Sequence, residues 1–162
     1  MQIKTATIDD IEIIVDIWNS FLDEHDGIVT GRNPLLKDMN ERRDEACVMY
    51  ENFLKSNVES QDGKVLIAEE GKAIAGYSLG YIKDEIPIFK LRRYGYISDL
   101  FVKKEFRGQG VSTRLMDAMI RWFKDKGAQY ASIGFYADNH EAHEIYRKWG
   151  FFDYKIEARK RI

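Results

Sequence analysis

A mixed α/β fold, of the α+β type with one mixed sheet, is predicted by three features of this 162-residue sequence. Short β-prone runs and amphipathic helical runs follow one another in the order β-α-α-β-β-β-α-β-α-β. Residues 64–82 read as a β-hairpin. Residues 94–137 read as a strand, a basic glycine-bearing turn, a helix and a second strand. The length suits one domain, 1–162, with its own core.

Each element has its own signal. Residues 2–7 are short and β-prone. Thr7 with Asp10 marks a capping-box helix start, and Ile11, Ile14, Val15, Trp18, Phe21 and Leu22 then recur at helical spacing. The polar run 23–32 reads as a connection. Asn33-Pro34 supplies an N-cap and first helical position for a second helix from Pro34 to Lys55, with Leu35, Met39, Ala46, Tyr50, Phe53 and Leu54 inward. Lys64–Glu69 and Ala73–Ile82 flank the Glu70-Gly71 turn. Residues 83–93 carry Pro87 and many charges and read as a loop. A strand at 94–102, a helix at 111–126, a strand at 130–137 and a short helix ending near Trp149-Gly150 follow. From Phe152, apolar Phe152, Tyr154, Ile156 and Ala158 alternate with polar neighbours, the pattern of a half-buried strand.

Composition narrows the function. A hydrophobic fraction of 44% with nine Phe, nine Tyr and three Trp argues for a globular chain. The net charge of -2 gives no overall pull toward nucleic acid or anionic membrane. No apolar run approaches a bilayer span, and the first residues lack a secretory h-region. Cys47 stands alone, so a reducing cytoplasm is expected and the thiol is expected to be buried as a small hydrophobe. His140 and His143 have helical metal-ligand spacing but no supporting Cys or further His, so no metal site is expected.

The turn 103–110 carries the chemistry. Gly108 and Gly110 allow positive φ and close backbone approach where a helix begins, and the first amides of that helix lack internal partners. Such an end attracts phosphate, and Lys103, Lys104 and Arg107 add charge. Glycines that merely turn the chain are the alternative. A Walker loop does not fit, because Gly108–Thr113 lacks its lysine and spacing. The dinucleotide fingerprint fits poorly, because Thr113 replaces its third glycine and no acid lies at the required distance.

Arg107-x-x-Gly110-x-Ser112 resembles the acetyl-CoA pyrophosphate loop of the GNAT superfamily of N-acetyltransferases, with Ser112 in place of the final Gly or Ala. Leu100-Phe101-Val102 is similar to the strand before that loop. Asn139-x-x-Ala142-x-x-x-Tyr146-x-x-x-Gly150-Phe151 is similar to the family's second signature. The resemblance covers roughly 94–151 and implies an acyl-CoA N-acyltransferase fold that uses acetyl-CoA as co-substrate. It implies that the 94–102 and 130–137 strands run parallel and splay, so that a pantetheine arm bonds the main chain of Leu100 and Val102, as in β-augmentation. Leu100, Phe101, Val102, Arg107, Gly108, Gln109, Gly110, Val111, Ser112, Thr113 and Asn139 are the cofactor-binding residues so implied. A backbone N–H near Val102 is the implied oxyanion donor. Tyr146 stands at the family's general-acid position, with helix packing as its alternative role.

Ser98-Asp99-Leu-Phe-Val102 is similar to the matching strand of the diamine (spermidine/spermine) acetyltransferases. Asp99 matches theirs, while Ser98 and Tyr96 stand where family members carry a glutamate base. A water relay ending on Asp99, or an acid from another segment, is therefore required; a structural role for Asp99 is equally open.

Charge is divided along the chain. Residues 20–62 hold ten acids against five bases, and residues 83–126 hold eleven bases against six acids. Asp23, Glu24 and Asp26 are expected to attract a cationic amine. The expected activity is acetyl transfer to the primary amine of a small cationic acceptor. Acetylation of a protein N-terminus or lysine, and acyl-CoA binding without turnover, are the alternatives. A homodimer paired through the last strand is left open by the resemblance.

Overall fold

The computed structural model describes the backbone of residues 1–162 and every side chain except that of Glu24. Ten elements follow in order: β1 Gln2–Thr5, α1 Ile11–Arg32, α2 Lys37–Asn40, α3 Ala46–Glu59, β2 Gly63–Glu70, β3 Ala73–Asp84, β4 Arg93–Val102, α4 Val111–Asp125, β5 Ala131–Ile133 and α5 His140–Lys148. The strands form one sheet in the order β1-β2-β3-β4-β5. The first four pair antiparallel, and β5 joins β4 in parallel, which makes the sheet mixed as expected.

Both faces of the sheet are covered, which explains why Val65 to Ala68 of β2 are all buried. On one face, Ile67, Tyr77, Leu79 and Phe101 meet Ile11, Ile14 and Ile17 of α1 and Tyr50 and Leu54 of α3. On the other, Leu66, Ala68, Ala75 and Ile97 meet Val111, Leu115, Met116, Met119 and Phe123 of α4. The period-2 alternation of each strand sorts its residues between these two cores. Helix α4 lies close to the sheet because β4 offers it a glycine: a Cβ at Gly95 would fall 2.3 Å from Cγ of Phe123. No helix among the described residues is long and apolar enough to cross a membrane.

Five sequence expectations are corrected. The run 23–32 is helical, so α1 extends unbroken to Arg32. Gly27 and Gly31 each cost a helix about 1 kcal/mol, which burial of Val29 and packing of His25 on Tyr136 offset. The helix stops where Pro34 disfavours helical backbone at Asn33, whose φ is -138°. The second helix is split into α2 and α3, since Asn40 and Arg42 are drawn into polar contacts across the fold. Leu35 and Met39 are exposed in consequence, as is Phe53 in part. Cys47 is exposed in the first turn of α3, where its thiol lies 3.8 Å from Oδ1 of Asn19 on α1.

A further correction concerns residues 152–162, which are irregular, with Phe152, Tyr154 and Ile156 exposed. An alternating pattern marks a face but supplies no partner, and a strand needs a neighbouring backbone to bond. The tail is tethered instead through side chains. Asp153 binds His143 at 2.6 Å and Arg147 at 2.5 Å, and Arg161 pairs with Asp38. The expected strand 130–137 likewise shrinks to three residues.

Gly95→Ala is expected to destabilise the fold by about 2 kcal/mol through overpacking against Phe123, read as a lower urea midpoint at unchanged slope. Gly27→Ala, with nothing within 4 Å of the added carbon, is expected to raise the same midpoint, by about 1 kcal/mol.

Candidate active site

Strands β4 and β5 pair only through Gly95–Ala131, Tyr96–Ser132 and Ile97–Ile133. Beyond that point β5 ends, while β4 continues to Val102 along its bonds to β3. A bulge sharpens the divergence: Leu79 faces Asp99 and Gly80 faces Ile97, so Ser98 is the extra residue. The result is a wedge whose one wall is the β4 main chain at 98–102. Asn139 and the N-terminus of α5 follow β5 on the other side.

The basic turn stands directly after Val102. Gly108 and Gly110 have φ of 76° and 75°, a region closed to most side chains. Nothing lies within 4 Å of a Cβ placed on either, so the space above them is open. Gly110 caps α4, leaving the amides of Val111, Ser112 and Thr113 without acceptors inside the helix. Arg107 bonds the Val102 carbonyl at 3.0 Å and lies 5.8 Å from the Phe101 ring centre, which ties turn to strand. Gln109 bonds the Glu105 carbonyl at 3.1 Å. Open space over unpaired amides at a helix start fits a diphosphate. The side chains of Val111 and Phe101 are buried in the two cores, so these residues present only main chain to a ligand.

Asp99 lies on the α1/α3 face of β4, largely covered. Burial pushes its carboxyl above the usual range, against the opposing effect of hydrogen bonds from Ser98 and Tyr50. Tyr50 in turn bonds Tyr77 hydroxyl to hydroxyl at 3.1 Å. Tyr146 sits in an aromatic nest of Phe135, Trp149 and Phe151, with ring centres 5.4, 5.8 and 6.0 Å away. Burial raises its phenol pKa. The Oδ1 of Asn139 accepts from the Ala142 amide at 3.1 Å and caps α5. Its carbonyl end is engaged there, so the amide NH2 is the end that can donate to a ligand.

The face next to Asp99 joins Phe21, which periodicity singled out, to residues that it did not. Phe21 and His25 of α1 reach Phe101 and Tyr136, at 4.6 and 5.5 Å between ring centres. Tyr136 donates to Asn40 at 2.9 Å, and Arg32 to the Asp138 carbonyl at 3.2 Å. Burial lowers the His25 pKa; Asp26 raises it and Arg32 lowers it further. Of these, His25 and Arg32 belong to the run 23–32 that the sequence reads as a connection, whereas Tyr136 belongs to the expected strand 130–137. The acids expected to draw a cation are engaged: Arg42 binds Asp23 at 2.5 Å and Asp26 at 3.6 Å. The side chain of Glu24, the third such acid, lies outside the described residues. Among the described residues no three His, Cys, Asp or Glu side chains gather as metal ligands. His143 bonds Asp153 and stacks near Phe135.

A mixed sheet opened between two parallel strands, with a glycine turn and helix start at its mouth, defines an acyltransferase type of α/β domain. The chain belongs to the acetyltransferase (GNAT) family, whose family model matches residues 21–151. Members of this family use acetyl-CoA as co-substrate. An uncharacterized N-acetyltransferase of Archaeoglobus fulgidus is 26% identical over 149 residues, covering 90% of this chain and 89% of that protein. N-alpha-acetyltransferase 30 of Schizosaccharomyces pombe is 41% identical over 61 residues, 38% of this chain and 41% of that protein's length. The structure of the BH1408 protein of Bacillus halodurans, a tetramutant, superposes with a TM-score of 0.82 at 22% identity, covering all of both chains. AAC(6')-Iy, in complex with the bisubstrate analogue CoA-S-monomethyl-acetylneamine, gives 0.71 at 18% identity over 99% of this chain and 98% of that one.

Gly110→Val is expected to weaken acetyl-CoA binding tenfold or more by calorimetry. A β-branched residue at positive φ costs roughly 1–2 kcal/mol, which a rearranged turn avoids only by losing its aim.

Proposed function

We propose that the protein transfers the acetyl group of acetyl-CoA directly to the primary amine of a small cationic acceptor, both bound together. The observation that carries this is the wedge beyond Ile97–Ile133, with the Arg107–Thr113 turn at its mouth and the covered Asp99 on its acceptor side. The main chain of Leu100 and Val102, the amides of Gly108 to Thr113, the Arg107 guanidinium and the Asn139 amide would hold the co-substrate. When bound, acetyl-CoA supplies a thioester open to attack by an amine.

The chain's own residues supply the proton handling. Asp99 accepts, through a water, the proton that the acceptor's ammonium must shed before it attacks. A main-chain N–H near Val102 donates to the carbonyl oxygen as charge develops there. Tyr146 keeps a proton for the departing sulfur. Since a phenol titrates near 10 and a thiol near 8.5, that transfer is uphill by about 2 kcal/mol, and burial of Tyr146 adds to the difference.

A small acceptor, as opposed to an extended peptide, is supported by two ties across the acceptor face. Tyr136–Asn40 and Arg32–Asp138 join α1 and α2 to the segment after β5, where a peptide would need an open groove. A cytoplasmic setting belongs to the same proposal and suits the exposed thiol of Cys47. So does a homodimer, which would cover Phe152, Tyr154 and Ile156.

Thiol release from acetyl-CoA across polyamines, aminoglycosides, amino acids and peptides tests the reading. Release with a small polyamine or aminoglycoside is expected. Release only with peptides would transfer the protein to the N-terminal or lysine class, and binding without release on any amine would make it a regulatory module. Tyr146→Phe is expected to slow turnover about tenfold without abolishing it; wild-type rates would remove Tyr146 from the mechanism.

A further inference from the structure

The main chain at the end of β4 alternates in direction. Lys103 donates its N–H to the Ala75 carbonyl at 2.9 Å, and in the same ladder Gly76 faces Val102 and Tyr77 faces Phe101. In an antiparallel pair only every second residue bonds the neighbouring strand. Lys103 and Phe101 therefore bond β3. Leu100 and Val102 turn their N–H and C=O groups the other way, into the wedge that opens beyond Ile97–Ile133.

The Val102 carbonyl is already engaged there. Nε of Arg107 donates to it at 3.0 Å, and Cζ of Arg107 lies 5.8 Å from the centre of the Phe101 ring. Phe101 belongs to the α1/α3 core, so the guanidinium reaches from the turn past the end of β4 toward the acceptor side. The turn does not need this contact to keep its shape. Its own backbone bonds hold it, the Phe106 N–H to the Lys103 carbonyl at 2.9 Å and the Arg107 N–H to the Lys104 carbonyl at 3.2 Å. Arg107 is exposed. Its side chain can therefore swing away by rotation about its own bonds, leaving the amides of Gly108 to Thr113 where they are.

We infer that Arg107 is a specificity-determining latch: its guanidinium occupies the Val102 carbonyl until a ligand carrying a diphosphate draws it off, so that pantetheine alone is disfavoured. This rests on the reading above that a pantetheine arm bonds the main chain of Leu100 and Val102. The exchange of hydrogen bonds gives the selectivity. A pantetheine amide that takes the Val102 carbonyl replaces one bond by another and sends the guanidinium back to water, which gains little. A diphosphate over the turn accepts from the displaced guanidinium in charge-assisted bonds, roughly twice as strong as neutral ones. The far end of the co-substrate thus opens the place that its arm requires.

Arg107→Ala removes the latch and the diphosphate contact together, so it acts in opposite directions on two ligands. Pantetheine, followed by calorimetric competition, is expected to bind about threefold or more tightly to the variant, because it no longer displaces a bond. CoA is expected to bind about fivefold or more weakly, because the charge-assisted contact is gone. An Arg107 that merely held the turn in shape would weaken both. Dephospho-CoA, which keeps the diphosphate, is expected to follow CoA; if it follows pantetheine, the diphosphate is not what draws the latch and the inference falls. Pantetheine binding that is unchanged or weaker in the variant overturns it as well, as does CoA binding that is unchanged or tighter. If the variant does not fold, the Nε–H resonance of Arg107 in the unaltered protein decides: a shift on saturation with CoA is expected, and an unmoved resonance overturns the latch. The two claims fail separately. An unaltered protein that binds no CoA sinks the wedge reading, whereas one that binds CoA but shows no opposed response to Arg107→Ala sinks the latch alone.

Discussion

The parallel ladder between β4 and β5 holds for three residue pairs and then opens, and the rest of the molecule maintains that opening. Strand β4 cannot follow β5, because it is bonded to β3 along its whole length and bulged at Ser98. Its inner end is pressed against α4 through the missing side chain of Gly95. Strand β5 ends after Ile133 and passes into the segment that carries Tyr136, Asn139 and α5. A sheet normally penalises unpaired main chain. Here the unpaired stretch lies next to the helix start whose amides also lack partners, so one extended ligand with a diphosphate can satisfy both.

The two faces of the sheet divide the remaining work. The α4 face is aliphatic apart from Met and Phe, and it anchors the helix whose N-terminus forms the turn. The α1/α3 face is aromatic and hydroxyl-bearing around Asp99. The length of α1 follows from this: its last turns carry His25, Val29 and Arg32 across to Tyr136 and Asp138, closing the acceptor side. Arg42 pairs with Asp23 and Asp26 of that same helix.

Local signals were legible wherever physics acts over a few residues. Thr7 caps with Asp10 at 2.8 Å. Asn33 caps Leu35 at 3.1 Å. Gly71, Gly108 and Gly110 adopt the positive φ their turns require. The hairpin and the amphipathic α4 lie where their periodicity put them. Errors arose where a segment's state depends on what it touches. A polar run stayed helical because its far end packs; a continuous helical pattern broke because Asn40 and Arg42 had partners elsewhere. The alternating tail formed no strand because no neighbouring backbone bonds to it.

The candidate site divides in the same way. Arg107, Gly110, Asn139 and Tyr146 are spaced by a turn, a cap and a helix, and such spacing is written directly in the chain, so the sequence determined the α/β class and which residues are proposed to hold the cofactor. The hydroxyl pair Tyr50 and Tyr77 on the face of Asp99 is separated by 27 residues, a distance over which no periodicity carries information. Tyr50 on its own reads as one more inward aromatic. Only the packing of α3 onto β2 and β3 brought its hydroxyl to that of Tyr77, because a buried hydroxyl without a partner would have been too costly.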